Sequence, residues 1–137
     1  MNSQLVAAAR TMLGVRFMHQ GRHPELGLDC AGLAVCSARA CGYEVIDNPE
    51  YKRAPDSSFF LEFLRANCDQ VQPGDERPGD FFIFATPNRG PQHLAIMTES
   101  EPPAMIHAHG PQGKVVEHNI DAAWLRQRRH IFRIKEK

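Results

Sequence analysis

The stretch GLDCAGLAVCSARACG, residues 27–42, carries the signals of a helix made largely of small residues. Asp29 is a residue type that caps the start of a helix, and Gly42 is a residue type that ends one. Between them the sequence predicts a helix through Ala40 with an apolar packing face. Cys30 directly follows the cap and can be a buried packing residue, a metal ligand or a nucleophile.

Two further helices are predicted on either side of this one. Ser3 is the expected cap of a first helix of about ten residues, which Gly14 ends. Its apolar residues recur at helical spacing: Leu5, Ala8, Ala9, Met12 and Leu13. Ser57 or Ser58 is expected to start a third helix. Its shared apolar face consists of Phe60, Leu61 and Leu64. Residues 15–28 show no clear period and are expected to form a loop.

After residue 80 the sequence changes to short runs of aromatic and β-branched residues. These runs are DFFIFA, HLAIMTE, AMIHAH and KVVEHNI. Separated by Pro, Gly and Asn, they predict successive antiparallel strands. DAAWLRQR predicts a short helix capped by Asp121, and HIFRI predicts a last strand. Helices first and strands later predict an α+β domain, with the N-terminal helices packed on a mostly antiparallel sheet of roughly five to six strands.

The composition favours one ordinary globular domain. The length of 137 residues suits a single core, so one domain over residues 1–137 is expected. Sixteen basic and sixteen acidic residues cancel, and no run is apolar enough to span a bilayer, so neither a nucleic acid partner nor membrane insertion is expected. The first residues lack the pattern of a secretory signal, which favours a reducing compartment and free thiols. The four cysteines form no C-x-x-C pair, so no metal site and no cofactor are expected.

Cys30 has a local setting that suits a nucleophile. A thiol attacks as the thiolate, and the unpaired N–H groups at a helix start favour negative charge. The same N–H groups, including that of Cys30, can stabilise an oxyanion. The alternative is packing, because cysteine is among the most buried residue types. That alternative is favoured for the other three cysteines: Cys36, Cys41 and Cys68.

Two histidines are candidates for the base that such a nucleophile needs. His93 begins the run HLAIM, and His107 lies in the next run, AMIHA. A hairpin around ESEPP would place them on neighbouring strands with the same parity. His109 is the rival of His107, because it shares that parity. The remaining histidines are expected to be surface or loop residues unless a site includes them: His19, His23, His118 and His130.

With these positions in order, the sequence resembles the NlpC/p60 family of papain-like cysteine peptidases. GLDCAGL resembles the family's Asp-Cys-Ser-Gly-Leu motif, and RPGDFFIF its Gly-Asp-Leu motif. HLAIM resembles the His-Val-Gly-Ile motif, and MIHAHGPQGKVVE contains the third polar member. Residues 11–33 resemble the compact phage and prophage type, a tail-associated cell-wall peptidase. The resemblance implies a papain-like NlpC/p60 fold.

The resemblance also implies roles for individual residues. Cys30 would be the nucleophile, His93 the general base and later the general acid, and His107 the residue that orients His93. Residues expected near the substrate or the oxyanion are Asp29, Phe17, His19, Gln20, Ala31 and His109. Phe17 stands where the family commonly has a tyrosine, and Ala31 where it has a serine. His19 or Gln20 is a hypothetical source of the missing polar contact.

The implied function is hydrolysis of an amide bond in the stem peptide of bacterial peptidoglycan, between D-glutamate and a diamino acid. Phage tail proteins are the implied partners, and the implied route is synthesis in the bacterial cytoplasm followed by action as a virion component. Two alternatives stay open. One is an amidase or acyltransferase with the same site and another substrate, and the other is a catalytically impaired structural part of a phage tail tip.

Overall fold

The computed structural model describes residues 2–51, 57–85 and 91–137. These ranges contain four helices and eight strands. The helices are α1 Ser3–Arg10, α2 Cys30–Ala40, α3 Ser57–Asn67 and α4 Ala122–Gln127. The strands are β1 Arg22–His23, β2 Gly27–Leu28, β3 Cys68–Gln70, β4 Phe81–Ala85, β5 Pro91–Ser100, β6 Pro103–His109, β7 Lys114–Asn119 and β8 Arg128–Ile134. None of the described helices is long and apolar enough to cross a membrane.

Six of the strands form one antiparallel sheet in the order β3-β8-β4-β5-β6-β7. This confirms the predicted α+β architecture and the mostly antiparallel sheet. The predicted loop over residues 15–28 is wrong in part, because β1 and β2 pair there as a small hairpin. Strands of two residues are too short to show an alternating pattern in the sequence.

Helix α2 forms as the sequence predicts. Asp29 adopts extended backbone, and its carboxylate accepts a hydrogen bond from the Gly32 N–H at 2.8 Å. Gly32 allows a close approach, since a Cβ at this position would lie 1.9 Å from the carbonyl oxygen of Gly21. Small residues therefore let the start of α2 lie directly against the β1–β2 hairpin. This contact fixes the position of Cys30, the first residue of the helix.

Helix α1 begins and ends differently from the prediction. Asn2, not Ser3, caps it, because the Asn2 side chain accepts the Leu5 N–H at 3.1 Å. The helix ends at Arg10, and the chain then turns through Gly14, whose φ of +85° favours glycine. Leu13 falls in this turn and is exposed, so the predicted apolar face is shorter than its sequence period indicates.

The sheet has a core on each face. Alternate strand residues, such as Ile83 and Leu94, pack against the N-terminal helices α1, α2 and α3. Their neighbours, such as Phe82 and Phe84, form a second cluster, and Trp124 of α4 packs against it. The N-terminal helices thus cover one face as predicted, and α4 contributes to the other.

Candidate active site

Cys30 lies where the start of α2 meets strand β5. Its side chain is 9% exposed. The backbone N–H groups of Leu94 and Ala31 lie close enough to its sulfur to favour the thiolate. Leu94 is the residue directly after His93, so the thiol lies against the backbone of β5 next to the position of the predicted base. All four cysteines are free thiols.

The electrostatic setting of Cys30 differs from the expected one. Burial, and secondly the neighbouring Asp29 carboxylate, raise the pKa of the thiol to about 12. The two N–H groups and the Arg22 guanidinium act in the opposite direction and are outweighed. The N–H groups at the helix start favour negative charge as expected, but burial of the sulfur and the adjacent anionic capping residue outweigh them.

His93 and His107 form a close pair on neighbouring strands. The β5–β6 hairpin turns through Glu101 and Pro102 and pairs Ile96 with Ile106. His93 Nε2 lies 2.6 Å from His107 Nδ1, which is hydrogen-bonding distance. The predicted arrangement of two histidines on one sheet face is thus present in the structure.

A third histidine continues this pair. His107 Nε2 lies 2.8 Å from His118 Nε2, and His118 Nδ1 lies 2.8 Å from the carbonyl oxygen of Asn119. His118 is on β7, opposite Met105 of β6. His118, expected at the surface or in a loop unless a site includes it, is half-buried on β7 and belongs to this cluster. The sequence shows which residues of β7 share a face with His118. It does not show the β6–β7 register that brings His118 next to His107.

The two central imidazoles are held in the neutral form. Burial lowers the pKa of His93 to about 4, with a smaller contribution from His109. Burial also lowers the pKa of His107 to about 2, and the nearby His93, His109 and His118 lower it further. His107 is 0% exposed, so a proton added to its ring would create a charge with no access to water.

Aromatic rings enclose the histidine cluster. The Trp124 ring lies with its centroid 5.9 Å from that of His93 and 5.3 Å from that of His107. Phe84 packs against Trp124 at 5.1 Å and against His93 at 6.3 Å. Trp124 was predicted only as part of a short helix, and its place beside the cluster was missed.

The Asp29 carboxylate accepts hydrogen bonds from four donors. Besides the Gly32 N–H, it accepts hydrogen bonds from the Gln20 N–H at 2.8 Å and from Arg22 Nη1 at 3.0 Å. The Tyr51 hydroxyl donates to the same carboxylate. Arg22 and Tyr51 were missed, because their contacts with Asp29 depend on how the chain folds back on the start of α2 and not on a local pattern. Tyr51 thus places a tyrosine hydroxyl beside the nucleophile motif. It does so from another position in the chain than residue 17, where this sequence has Phe17 in place of the family's tyrosine.

The other residues predicted near the substrate are all placed around this site. Phe17 is half-buried, packs on the helix-side core and bridges to Leu28. The side chains of His19 and Gln20 both contact the Tyr51 carbonyl oxygen, at 3.1 and 2.7 Å. Each of these contacts holds the chain in place, and a role in substrate binding stays a prediction.

Two buried or half-buried positions complete that set. Ala31 is buried and contributes its N–H to the Cys30 sulfur. His109 is half-buried, with its ring centroid 4.8 Å from that of His107. Within the described parts of the chain, no group of three or more His, Cys, Asp or Glu side chains is arranged to hold a metal ion.

The raised pKa of Cys30 predicts how fast it reacts with iodoacetamide as the pH changes. Because the thiolate is the reactive form, the rate should rise about tenfold per pH unit between about pH 6 and pH 9 without levelling off. Peptide mapping by mass spectrometry separates Cys30 from the other cysteines. A rate that stays constant from about pH 5 to pH 8 would instead reveal a resting thiolate–imidazolium pair.

Solved structures with a similar fold include three NlpC/p60 family proteins. A lipoprotein-like NLP/P60 family protein of Staphylococcus aureus gives a TM-score of 0.72 at 15% identity, over 98% of this chain and 41% of that one. This chain therefore spans less than half of the staphylococcal protein. The NlpC/p60 domain of the peptidoglycan hydrolase SagA gives 0.66 at 18% identity, over 99% of both chains. RipD of Mycobacterium tuberculosis, a non-catalytic NlpC/p60 domain protein adapted to peptidoglycan binding, gives 0.63 at 14% identity, over 96% and 94%.

The sequence itself matches a family model over most of its length. None of the curated proteins matches the chain. The model of the NlpC/P60 family matches residues 14–133, which include Cys30, His93 and His107. The match runs from the turn after α1 into β8 and so covers the whole site described above. The chain belongs to the NlpC/P60 family.

Proposed function

We propose that this chain is a cysteine peptidase that hydrolyses an amide bond in peptidoglycan stem peptides, between D-glutamate and a diamino acid. The observation that carries the proposal is the position of Cys30 against the backbone of Leu94, the residue after His93, together with the contact of 2.6 Å between His93 Nε2 and His107 Nδ1. A nucleophile, a base and a residue that orients the base are the parts that such hydrolysis requires. SagA, with the same fold, is a peptidoglycan hydrolase.

The proposed reaction starts from an uncharged thiol and an uncharged imidazole. His93 Nε2 is hydrogen-bonded to His107, which leaves His93 Nδ1 free. In the proposed reaction Nδ1 takes the thiol proton as the sulfur attacks the amide carbon. The protonated His93 then gives this proton to the leaving amine while the C–N bond breaks. Water attacks the resulting thioester, His93 takes one water proton, and the Cys30 thiol is restored as the carboxylic acid leaves.

Backbone N–H groups at the start of α2 are available for the oxyanion in this proposal. The Gly32 N–H binds the Asp29 carboxylate, and the Leu33 N–H binds the Asp29 carbonyl oxygen at 3.0 Å. The Ala31 N–H contacts the Cys30 sulfur. We assign the Cys30 N–H to the oxyanion, because it belongs to the attacking residue and lies at the positive end of the helix.

A non-catalytic function is the second candidate. The high pKa of the Cys30 thiol favours it, since a buried neutral thiol is a poor nucleophile without an effective base. RipD has this fold and is a non-catalytic protein adapted to peptidoglycan binding. In this case the chain would bind stem peptides without cleaving them, as a structural part of a phage tail tip.

The wider setting belongs to the proposal as well. The resemblance of residues 11–33 to compact tail-associated peptidases supports a phage or prophage origin, phage tail proteins as partners and action as a virion component. An amidase or acyltransferase with another substrate would use the same Cys30 and His93. The product distinguishes these reactions, because transfer joins the acyl group to an added amine and hydrolysis leaves a free carboxylate.

Digestion of purified peptidoglycan fragments that contain a diamino acid tests the proposal. Mass spectrometry should find one product that ends in D-glutamate and one that begins with the free amino group of the diamino acid. The same digest with added amines tests for acyl transfer, and the Cys30→Ala variant controls for contaminating hydrolases. Cleavage at another amide bond would contradict the assigned specificity, and binding without cleavage would favour the non-catalytic function.

A further inference from the structure

We propose that His118 is a positioning residue, which fixes the ring protons of His107 and, through it, of His93, so that His93 Nδ1 is free to accept the Cys30 proton. The inference rests on the proposed function, in which His93 is the base. His118 touches none of the reacting atoms. It acts through an unbroken line of contacts that runs from the Asn119 carbonyl to His93.

The direction of the hydrogen bonds follows from the end of this line. A carbonyl oxygen can only accept, so the contact of 2.8 Å between Asn119 and His118 Nδ1 requires a proton on that nitrogen. In a neutral His118 ring, Nε2 then has only a lone pair. It must accept a hydrogen bond from His107 Nε2 at 2.8 Å.

The same reasoning extends to the base. With its proton on Nε2, a neutral His107 ring has a lone pair on Nδ1, and this atom lies 2.6 Å from His93 Nε2. His93 must therefore carry its proton on Nε2 and present an unprotonated Nδ1. This is the form of the ring that can take a proton from a thiol.

The direction of these hydrogen bonds is fixed because His107, the ring in the middle, cannot reach water. His107 is fully buried between two rings, and its nitrogens are used by His93 and His118. Without an acceptor at position 118, a proton on His107 Nε2 would be buried and unsatisfied, which is costly. The His107 proton would move to Nδ1, and His93 would then have to accept at Nε2 and carry its proton on Nδ1, the wrong form for a base.

Variants at position 118 test the inference. His118→Phe keeps a flat ring but removes the acceptor, whereas His118→Gln keeps an amide oxygen that can accept from His107. His130→Phe is the control, because His130 is also half-buried on the sheet but lies outside the cluster. For His118→Phe we expect kcat to fall about 10- to 100-fold with KM changed less than about twofold. His118→Gln and the control should stay within about threefold of the original kcat.

Nitrogen NMR of the ring atoms at about pH 8, where an ordinary imidazole is neutral, gives a second readout that needs no substrate. The unmodified protein and His118→Gln should carry the protons of His93 and His107 on Nε2, and His118→Phe should carry them on Nδ1. Detection of the proton on His93 Nδ1 in the unmodified protein overturns the inference, even where His118→Phe does not fold. So does an equal loss of kcat in His118→Gln and His118→Phe. A protein with the expected ring protons but no peptidase activity would contradict the proposed function alone.

Discussion

Replacing Cys30 by alanine is expected to lower kcat for stem-peptide cleavage by at least about 10⁴-fold, the scale of loss seen when a covalent nucleophile is removed. The methyl group cannot form the thioester, because it has no nucleophilic sulfur. Binding should persist, because Cys30 is 9% exposed and contributes little surface to a ligand. Initial rates from chromatography of the products, with calorimetric binding of the same peptide, measure the two effects separately.

Two other cysteines provide matched controls for this result. Cys36 lies on the same helix, where its thiol donates to the Arg22 carbonyl oxygen at 3.1 Å, and Cys68 is buried at the start of β3. Their alanine variants should keep kcat within about threefold, since neither residue is part of the described site. If Cys30→Ala retained more than about 1% of the activity, Cys30 would not be the nucleophile.

The fold was predictable from the sequence wherever local signals act alone. The cap at Asp29 depends on residues three apart, and the strand pattern of β4 to β7 depends on alternation within each run. The cap at Asn2 and the β1–β2 hairpin were not predictable in this way. Asn2 is held by a backbone contact with Pro78, and the hairpin depends on the close approach of Gly21 to Gly32. Both are contacts between distant parts of the chain.

The candidate site was predictable up to the point where register decides the contacts. Cys30, His93 and His107 follow from the order of their motifs and from the parity of adjacent strands. His118 depends on how β6 and β7 are aligned, and a shift of one residue would turn its ring to the other face. The charge state of Cys30 depends on burial, which no local pattern contains. The sequence therefore predicts the residues of the candidate site but not the electrostatic setting of Cys30.

The uncharged pair of Cys30 and His93 has a consequence for the direction of proton transfer. The pKa of the thiol is raised and that of the imidazole is lowered, both mainly by burial. Each shift disfavours the charged form of its group. The charges would form only during attack, when the oxyanion and the imidazolium appear together, so the position of the proton on His93 matters before the reaction begins.

The same burial predicts that the protein loses stability in mild acid. The pKa of His93 is lowered to about 4 and that of His107 to about 2, against about 6.5 in the unfolded chain. Between about pH 6.5 and pH 4 the unfolded state therefore binds protons that the folded state does not. The stability from these two neutral rings is complete above about pH 6.5 and is lost as the pH falls through this window. Urea unfolding should show a loss on the order of 5 kcal/mol between about pH 7 and pH 4.5.

Replacing His107 by glutamine should remove one of the two protons that the unfolded state binds and the folded state does not. The free energy of unfolding of His107→Gln should start lower at about pH 7, because the hydrogen bonds of His107 are disturbed, but should depend less on pH. We expect its slope to be smaller by about 1.4 kcal/mol per pH unit between about pH 6 and pH 4.5. The control His23→Gln, at an exposed position, should keep the original slope. An unchanged slope in His107→Gln would mean that His107 takes up its proton in the folded protein and is not held neutral by burial.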